Sequence, residues 1–326
     1  FSANKIAYTM PFNHSMPALD AGAEAEAKWL TEVLLDRRHP DCDNFRKLEK
    51  TLSYMRAAAV VPRFRSPSMT LELVAKRKNV MYELLKAMNQ NLGHPNWFSH
   101  LTSRFLDVGS KYHGFSQYIL EHSNGRGVGV SLPIDDGGTS WAMLPGNRYE
   151  QYPVDLLNLV SSYVSSDPTS RPLLSPFDTE FDFVILNANS PCPRVLLAQL
   201  LLALYTIYNG GQILLTLSCI ERPLTARVVI AISKIADYIT TSKPPRVHAQ
   251  SGLFYLHAQT VRNDTPAYRK LKDNLERLWY RIHSTHTRDP TWDEQDLITP
   301  WDQEIPYGKP SLPLFIELLT SLIDWM

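Results

Sequence analysis

Cysteine is scarce: Cys42, Cys192 and Cys219 are the only three among 326 residues. None belongs to a C-x-x-C pair, which excludes a disulfide framework and a cysteine zinc cage and suits a reducing compartment. The expected location is therefore intracellular, cytoplasmic or nuclear. Net charge is missing too, with Lys+Arg 33 against Asp+Glu 33. Coating nucleic acid by bulk charge is excluded, and only a local basic face remains open. Long hydrophobic runs are also absent. The longest strongly apolar stretch, Val195 to Ile207, falls well short of the roughly 20 residues of a membrane span and reads as a buried helix. No membrane partner is expected. The first residue is Phe1 rather than Met, so the expectation is that an upstream segment, with any targeting signal, lies outside this sequence. What is present is a globular composition, 44% hydrophobic and 20% charged, able to bury a sizeable core.

Along the chain, residues 1–22 are turn-rich. From Ala23 to about Ala59 apolar residues return at three and four positions, the period of a one-faced helix, with a break at Pro40 and Asp41. A further helix is expected from Met69 to Asn91. Between Lys28 and Lys86 there are 13 Lys/Arg and 7 Asp/Glu, which is either a solvated helical face or an anion-binding patch centred on Arg63-Phe64-Arg65 and Lys76-Arg77-Lys78. Beyond Arg104 the texture becomes α/β. Strands are expected at Phe105–Val108, Gly125–Val130, Phe181–Leu186 and Ile213–Leu217, with two short ones within Arg246–Val261. Helices are expected at Ser116–Glu121, Pro193–Tyr208, Leu224–Ile239 and after Arg262, the last with Tyr268, Leu271, Leu275, Leu278 and Ile282 on one face. This alternation implies a mostly parallel sheet covered on both faces, and the closely spaced last pair suggests an antiparallel strand at its edge. A Pro/Trp-rich loop and an apolar helix from Leu314 to Trp325 close the sequence.

A strand ending in an acid, a glycine turn and then a helix bring backbone close to a ligand at a helix N-terminus. Phe105-Leu106-Asp107-Val108-Gly109-Ser110-Lys111-Tyr112-His113-Gly114-Phe115-Ser116 has that form. It resembles the D-L-G-x-x-P-G-G-F/W motif of the FtsJ/RrmJ family, S-adenosylmethionine-dependent methyltransferases of RNA ribose 2′-hydroxyls. Gly125 to Pro133 is similar to that family's second strand, Phe181 to Asn187 to its fourth, and Gly210-Gly211 and Ser251 to Leu256 to its fifth strand and final hairpin. The resemblance covers roughly Leu101 to Arg262. It implies a Rossmann-like seven-stranded methyltransferase sheet (residues 101–262) with helical N- and C-terminal extensions (residues 1–100 and 263–326). It also implies S-adenosylmethionine as cofactor, held by Gly109, Ser110, Lys111, Tyr112, His113, Gly114, Phe115, Ser131 and Asn187.

The departures from the family bear on chemistry. Tyr112-His113 stands where the family has Pro-Gly, and Ser131 where it has the acid for the cofactor's ribose hydroxyls, with Asp135 or Asp136 as candidate substitutes. The family's Lys-Asp-Lys-Glu set orients and deprotonates a ribose hydroxyl, a poor nucleophile at neutral pH. Its aspartate aligns with Asn187, its second lysine with Thr216 and its glutamate with Leu253. Its first lysine aligns nearest Tyr82, with Lys78 and Lys86 one turn to either side. Ribose methylation by that mechanism is not expected.

Other constellations read more plainly. His283 and His286 are one turn apart, but no third ligand accompanies them and no metal is expected. His248 and His257 fall on the expected hairpin strands, Ser218 and Cys219 follow a strand without a G-x-S-x-G elbow, and Cys192 opens a buried helix. His113 and Asn187 are the candidate catalytic residues. For His113 two readings stand: an imidazole facing the cofactor, or a side chain filling space that a cofactor has vacated. Two classes of function follow, a methyltransferase with an altered site, or an inactive relative binding RNA, a protein partner or a small ligand. A third possibility is recruitment of the pocket for another small-molecule reaction. An aromatic pocket of Tyr112, Phe115 and Trp141 would favour a small ligand, and a basic helical extension would favour RNA.

Overall fold

The computed structural model describes residues 21–35, 71–91, 104–136, 147–164, 180–188, 192–218, 222–242, 253–284 and 289–299. Two helices, α1 (Ala21–Leu35) and α2 (Leu71–Asn91), precede the sheet. Then follow β1 (Arg104–Val108), α3 (Gly114–His122), β2 (Arg126–Ser131), β3 (Tyr149–Pro153), α4 (Leu156–Val164) and β4 (Phe181–Leu186). The remainder is α5 (Pro193–Thr206), β5 (Ile207–Ser218), α6 (Pro223–Ser233), β6 (Ala236–Ser242), β7 (Leu253–Val261), α7 (Pro266–Ser284) and the short α8 (Trp292–Gln295).

The seven strands form one sheet in the order β3-β2-β1-β4-β5-β7-β6. β7 runs antiparallel to its neighbours β5 and β6, and the other pairs are parallel. The expected α/β class and seven-stranded sheet are the ones observed. Central strands β1 and β4 are buried on both faces, as parallel strands under helices must be, which is why their sequences are nearly continuous apolar runs. Side chains alternate between the faces. Leu106, Val108, Val184, Leu186 and Leu215 join one core cluster, together with residues of α1, α4, α5, α6 and α7. Phe105, Phe183, Ile185, Leu214 and Tyr255 pack on the other face against α2 and α3. Sheet order reverses between β1 and β4, and in an open α/β sheet ligands bind outside the strands' carboxyl ends at such a switch point.

Two contacts tie the flanking helices to this frame. Gly114, the first residue of α3, lies so close to α2 that a Cβ there would sit 2.3 Å from the Lys78 carbonyl oxygen. On the opposite face Arg227 of α6, with no exposed surface, receives Glu26 of α1 at 2.8 and 3.0 Å and Asp296, just beyond α8, at 2.6 Å.

Several expected boundaries are corrected. The helix expected from Leu224 to Ile239 ends at Ser233, and Ala236–Ser242 is strand β6. Ile235 and Ile239 are four apart and imitate a helix face, but the β-branched run Ile239-Thr240-Thr241 pairs with Ala258, His257 and Leu256 of β7. The antiparallel strand is consequently β7, one in from the edge, and not the edge strand itself. α5 stops at Thr206, where the chain becomes extended and begins β5. β3 and α4 do not figure among the expected elements at all. The expected strand Val247–Ala249, the helix over 36–59, the C-terminal helix Leu314–Trp325, and Arg63, Arg65, Trp141, Cys42, Cys219, His248 and His286 lie outside the described residues, as does the side chain of Asp135.

Candidate functional site

The loop from Gly109 to His113 leaves β1 at the switch point. Gly109 has φ +82, and a Cβ on it would lie 2.3 Å from the Ala188 nitrogen, so two conditions require glycine: the left-handed backbone and the abutting turn after β4. Backbone hydrogen bonds fix the junction, with Gly109 N–H donating to the Val130 carbonyl at 2.8 Å and Asn187 N–H to the Val108 carbonyl at 2.8 Å. Gln199 of α5 bolts the next residue from behind, accepting from Ala188 N–H at 2.8 Å and donating to the Ala188 carbonyl at 3.1 Å.

Beneath the loop a polar network runs from β1 to β3. The Ser116 hydroxyl donates to the Asp107 carboxylate at 2.5 Å, and the Tyr149 hydroxyl lies 3.3 Å from Ser116 Oγ and 3.2 Å from His113 Nδ1. Tyr149 reaches these partners by crossing β2 at Gly129, where no side chain intervenes. Gln151, two residues on and on the same face, donates to Ser131 Oγ at 2.6 Å and to Ser110 Oγ at 3.3 Å. Tyr149 and Gln151 are the site residues missing from the sequence reading. The signal for them is Gly129, which leaves room on one face of β2 for side chains from a neighbouring strand.

The structure turns His113 inward. Its imidazole is 5% exposed, turned inward against Tyr149 with ring centroids 5.5 Å apart, while its backbone takes φ +55 at the start of α3. The ring therefore fills space under the loop and does not project outward from it. The Phe115 side chain has no exposed surface and packs edge-on against Tyr255. Gly114 faces α2, not the outside of the loop. Lys111 is exposed beside the ring of half-buried Tyr112, whose hydroxyl accepts from Arg77. Ser131 closes β2 as expected, and Asp136 is exposed in the short turn after it.

At the end of β4, Asn187 Oδ1 accepts from the Thr216 hydroxyl at 2.9 Å, and Thr216 faces Tyr255 across β5 and β7. Leu253 is buried at the start of β7, opposite Ser218. Of the three positions weighed for the first lysine, Tyr82 donates to Glu121 at 2.7 Å and Lys86 pairs with Glu83 at 3.4 Å. Lys78 is the one whose charge acts on both His113 and Glu121.

Other candidates resolve into structural roles. His257 is buried, its Nε2 2.8 Å from Gln212 Oε1. His283 stacks on Trp279 with an interplanar angle of 10°. Cys192 precedes α5 and its Sγ lies 3.3 Å from Asp289. Among the described residues no three His, Cys, Asp or Glu side chains converge as metal ligands, and no helix is long and apolar enough to cross a membrane.

Burial sets the electrostatics. It pushes the Asp107 carboxyl up to about 7, although the Ser116 hydrogen bond pulls the other way. It also pushes His113 down to about 4, helped by the Lys78 charge, and raises the Tyr149 phenol. The linkage signs oppose each other. Asp107, raised from 3.8, contributes stability that is complete below pH 3.8 and is lost as pH rises through about 7. His113, lowered from 6.5, contributes stability that is complete above pH 6.5 and is lost as pH falls toward 4. The two slopes nearly cancel between pH 5 and pH 6.5 in the wild type, so Asp107→Asn should leave the rise due to His113 uncovered and gain on the wild type by a few kcal/mol from pH 5 to pH 8. Urea unfolding at the two pH values measures this, and parallel curves for the two proteins would refute it.

No protein-family model matches the chain, and no curated protein does. Solved structures do match. Human methyltransferase-like protein 13, in complex with SAH, has 14% identity and TM-score 0.40 over 60% of this chain and 91% of that one. The N-methyltransferase NodS from Bradyrhizobium japonicum WM9 has 9% identity and TM-score 0.37 over 58% and 97%. An S-adenosylmethionine-dependent methyltransferase from Archaeoglobus fulgidus has 14% identity and TM-score 0.36 over 55% and 94%. The likeness is one of fold. At such scores it says nothing of ligand or reaction, and the fold itself rests on the strand order above.

Proposed function

We propose that the protein is a methyltransferase-fold protein of FtsJ-like type, with its core in residues 101–262, that binds S-adenosylmethionine in an altered active site. The observation that carries this reading is the glycine loop, fixed backbone to backbone against the turn after β4 at the sheet's switch point. The residues present suit an adenosyl group. Ser110 and His113 turn their side chains inward, so backbone lines the loop at those positions. Ser131 and Gln151 offer a hydroxyl and an amide at the end of β2, where ribose hydroxyls need partners. Lys111, Tyr112 and Asn187 would border the same group. When bound, the cofactor supplies an electrophilic methyl on a sulfonium.

For the chain's own chemistry, the neutral set Asn187, Thr216 and Leu253 argues against deprotonating a ribose hydroxyl. Methyl transfer to an acceptor that is already nucleophilic needs mainly placement, since proximity and orientation lower much of the barrier. The test is equilibrium dialysis with labelled S-adenosylmethionine together with a 2′-O-methylation assay on RNA. Retention of label without ribose methylation is the expected result; methylated ribose, or no retention, overturns the reading.

The same neutral set favours a second reading, a catalytically inactive relative that binds RNA, a protein partner or a small ligand. It predicts no methylated product from any acceptor, and turnover that survives purification and vanishes in Gly109→Ala would exclude it.

A further inference from the structure

Helix α7 carries more positive charge on one side than its own stability calls for. Its buried side, which includes Tyr268, Leu275 and Ile282, packs into the core layer that also holds α4, α5 and α6. The other side is exposed over Arg269, Lys270, Asp273, Arg277, Tyr280 and Arg281. At 3.6 residues per turn these fall within roughly a third of the circumference and extend about 18 Å along the axis. Four cations thus share a stripe with one carboxylate, in a chain whose Lys+Arg and Asp+Glu are equal at 33 each. Helix energetics do not account for them. No acid stands in the first turn, where the positive end of a helix favours one, and Arg269 closes that turn instead. Asp273 is four residues from both Arg269 and Arg277, yet among the described residues it forms an ion pair with neither. Arg269 donates to the Asp264 carbonyl at 3.2 Å, which leaves its charge uncancelled. Lys270 and Arg277 make no ion pair and no side-chain hydrogen bond among the described residues. One turn on from Arg277, the Tyr280 ring is 69% exposed.

We infer that this stripe docks single-stranded nucleic acid, with Arg269, Lys270 and Arg277 meeting backbone phosphates and Tyr280 meeting an unpaired base. A guanidinium matches a phosphate with two parallel N–H donors, and an aromatic ring set among cations stacks on a base of any kind. A duplex keeps its base faces covered, so Tyr280 would have nothing to stack on. A lipid surface needs apolar side chains around the cations, and apart from Tyr280 the stripe has none. An acidic protein segment would use the charges and leave the ring idle. α7 lies on the sheet face opposite α2 and α3, so the docked strand is held away from the helices that flank the glycine loop. The inference holds whether or not that loop takes a cofactor.

The test uses the full chain without added cofactor and a fluorescent oligouridylate about 20 nucleotides long, longer than a typical single-strand site. Anisotropy titrations over a series of salt concentrations give affinity and salt slope. For the wild type the logarithm of the affinity should fall against the logarithm of salt with a slope of about −2, three phosphates at about −0.7 each. Lys270→Ala combined with Arg277→Ala should bring the slope to about −0.7 and weaken binding about 10-fold or more at low salt. Tyr280→Ala should weaken it about 5-fold or more and leave the slope unchanged, because stacking releases no counterions. Lys76→Ala, on the exposed side of α2, should change neither quantity. Thermal unfolding of the variants should match the wild type, since every altered side chain is exposed. Absence of binding at low salt, a wild-type slope in the double variant, or wild-type affinity in Tyr280→Ala overturns the inference. So does displacement of the strand by a polyglutamate peptide as readily as by unlabelled oligouridylate, which would mark an acidic protein as the partner.

Discussion

Arg227→Ala is expected to lower the free energy of unfolding by about 3–5 kcal/mol, because it removes one partner of a buried ion pair and leaves the others uncompensated. The guanidinium has no exposed surface, and the Glu26 side chain that meets it is 9% exposed. Without the cation that carboxylate must be neutralised or dragged into water, and α1 goes with it. Asp296, at 40% side-chain exposure, is already hydrated and accounts for less. Denaturant titration measures the loss, and Trp29 on α1 supplies a local fluorescence signal. Replacing both main partners by apolar residues, Arg227→Met with Glu26→Leu, should recover most of the stability. A loss below about 1 kcal/mol in the single variant would mean that the pair behaves as a surface contact and that α1 is not anchored there.

Gly109→Ala is expected to have the second large effect, about 2–4 kcal/mol, with loss of ligand uptake. Two costs add: an L-residue at φ +82, and a Cβ 2.3 Å from the Ala188 nitrogen. Neither neighbour can yield cheaply, since Ala188 is clamped by Gln199 and Gly109 by the Val130 carbonyl. The relief available is separation of the β1 and β4 turns, which opens the switch point and displaces Asn187. Thermal unfolding together with a titration of S-adenosylhomocysteine reads both effects. Wild-type stability and affinity in the variant would mean that the loop is more pliable than its contacts indicate.

The sequence exposes most of this sheet and less of its site, for reasons that can be traced to particular residues. β1 and β4 are central and buried on both faces, so Phe105–Val108 and Phe181–Leu186 stand out as short apolar runs between turn residues. β3 is a partly exposed edge strand, Tyr-Glu-Gln-Tyr-Pro, with no apolar alternation to mark it. Tyr149 and Gln151 were hidden for that reason, although Gly129 marks where they fit. β6 was masked by a helical pattern that runs on from α6 through Ile235 to Ile239. Tyr255 depends on strand register. Its facing of Thr216 follows from the antiparallel pairing of β5 with β7, and a one-residue slip would have turned it to the other face. The glycine loop was legible as a motif, but the inward turn of His113 depends on Tyr149 and so on a strand that the sequence does not announce.

A crystal grown with S-adenosylhomocysteine puts the whole reading to the test. Density for the ligand should lie along Gly109 to His113, with its ribose near Ser131 and Gln151, and no lysine–carboxylate pair should face it. An empty loop at saturating ligand, or density next to a reassembled lysine–carboxylate cluster, would contradict it.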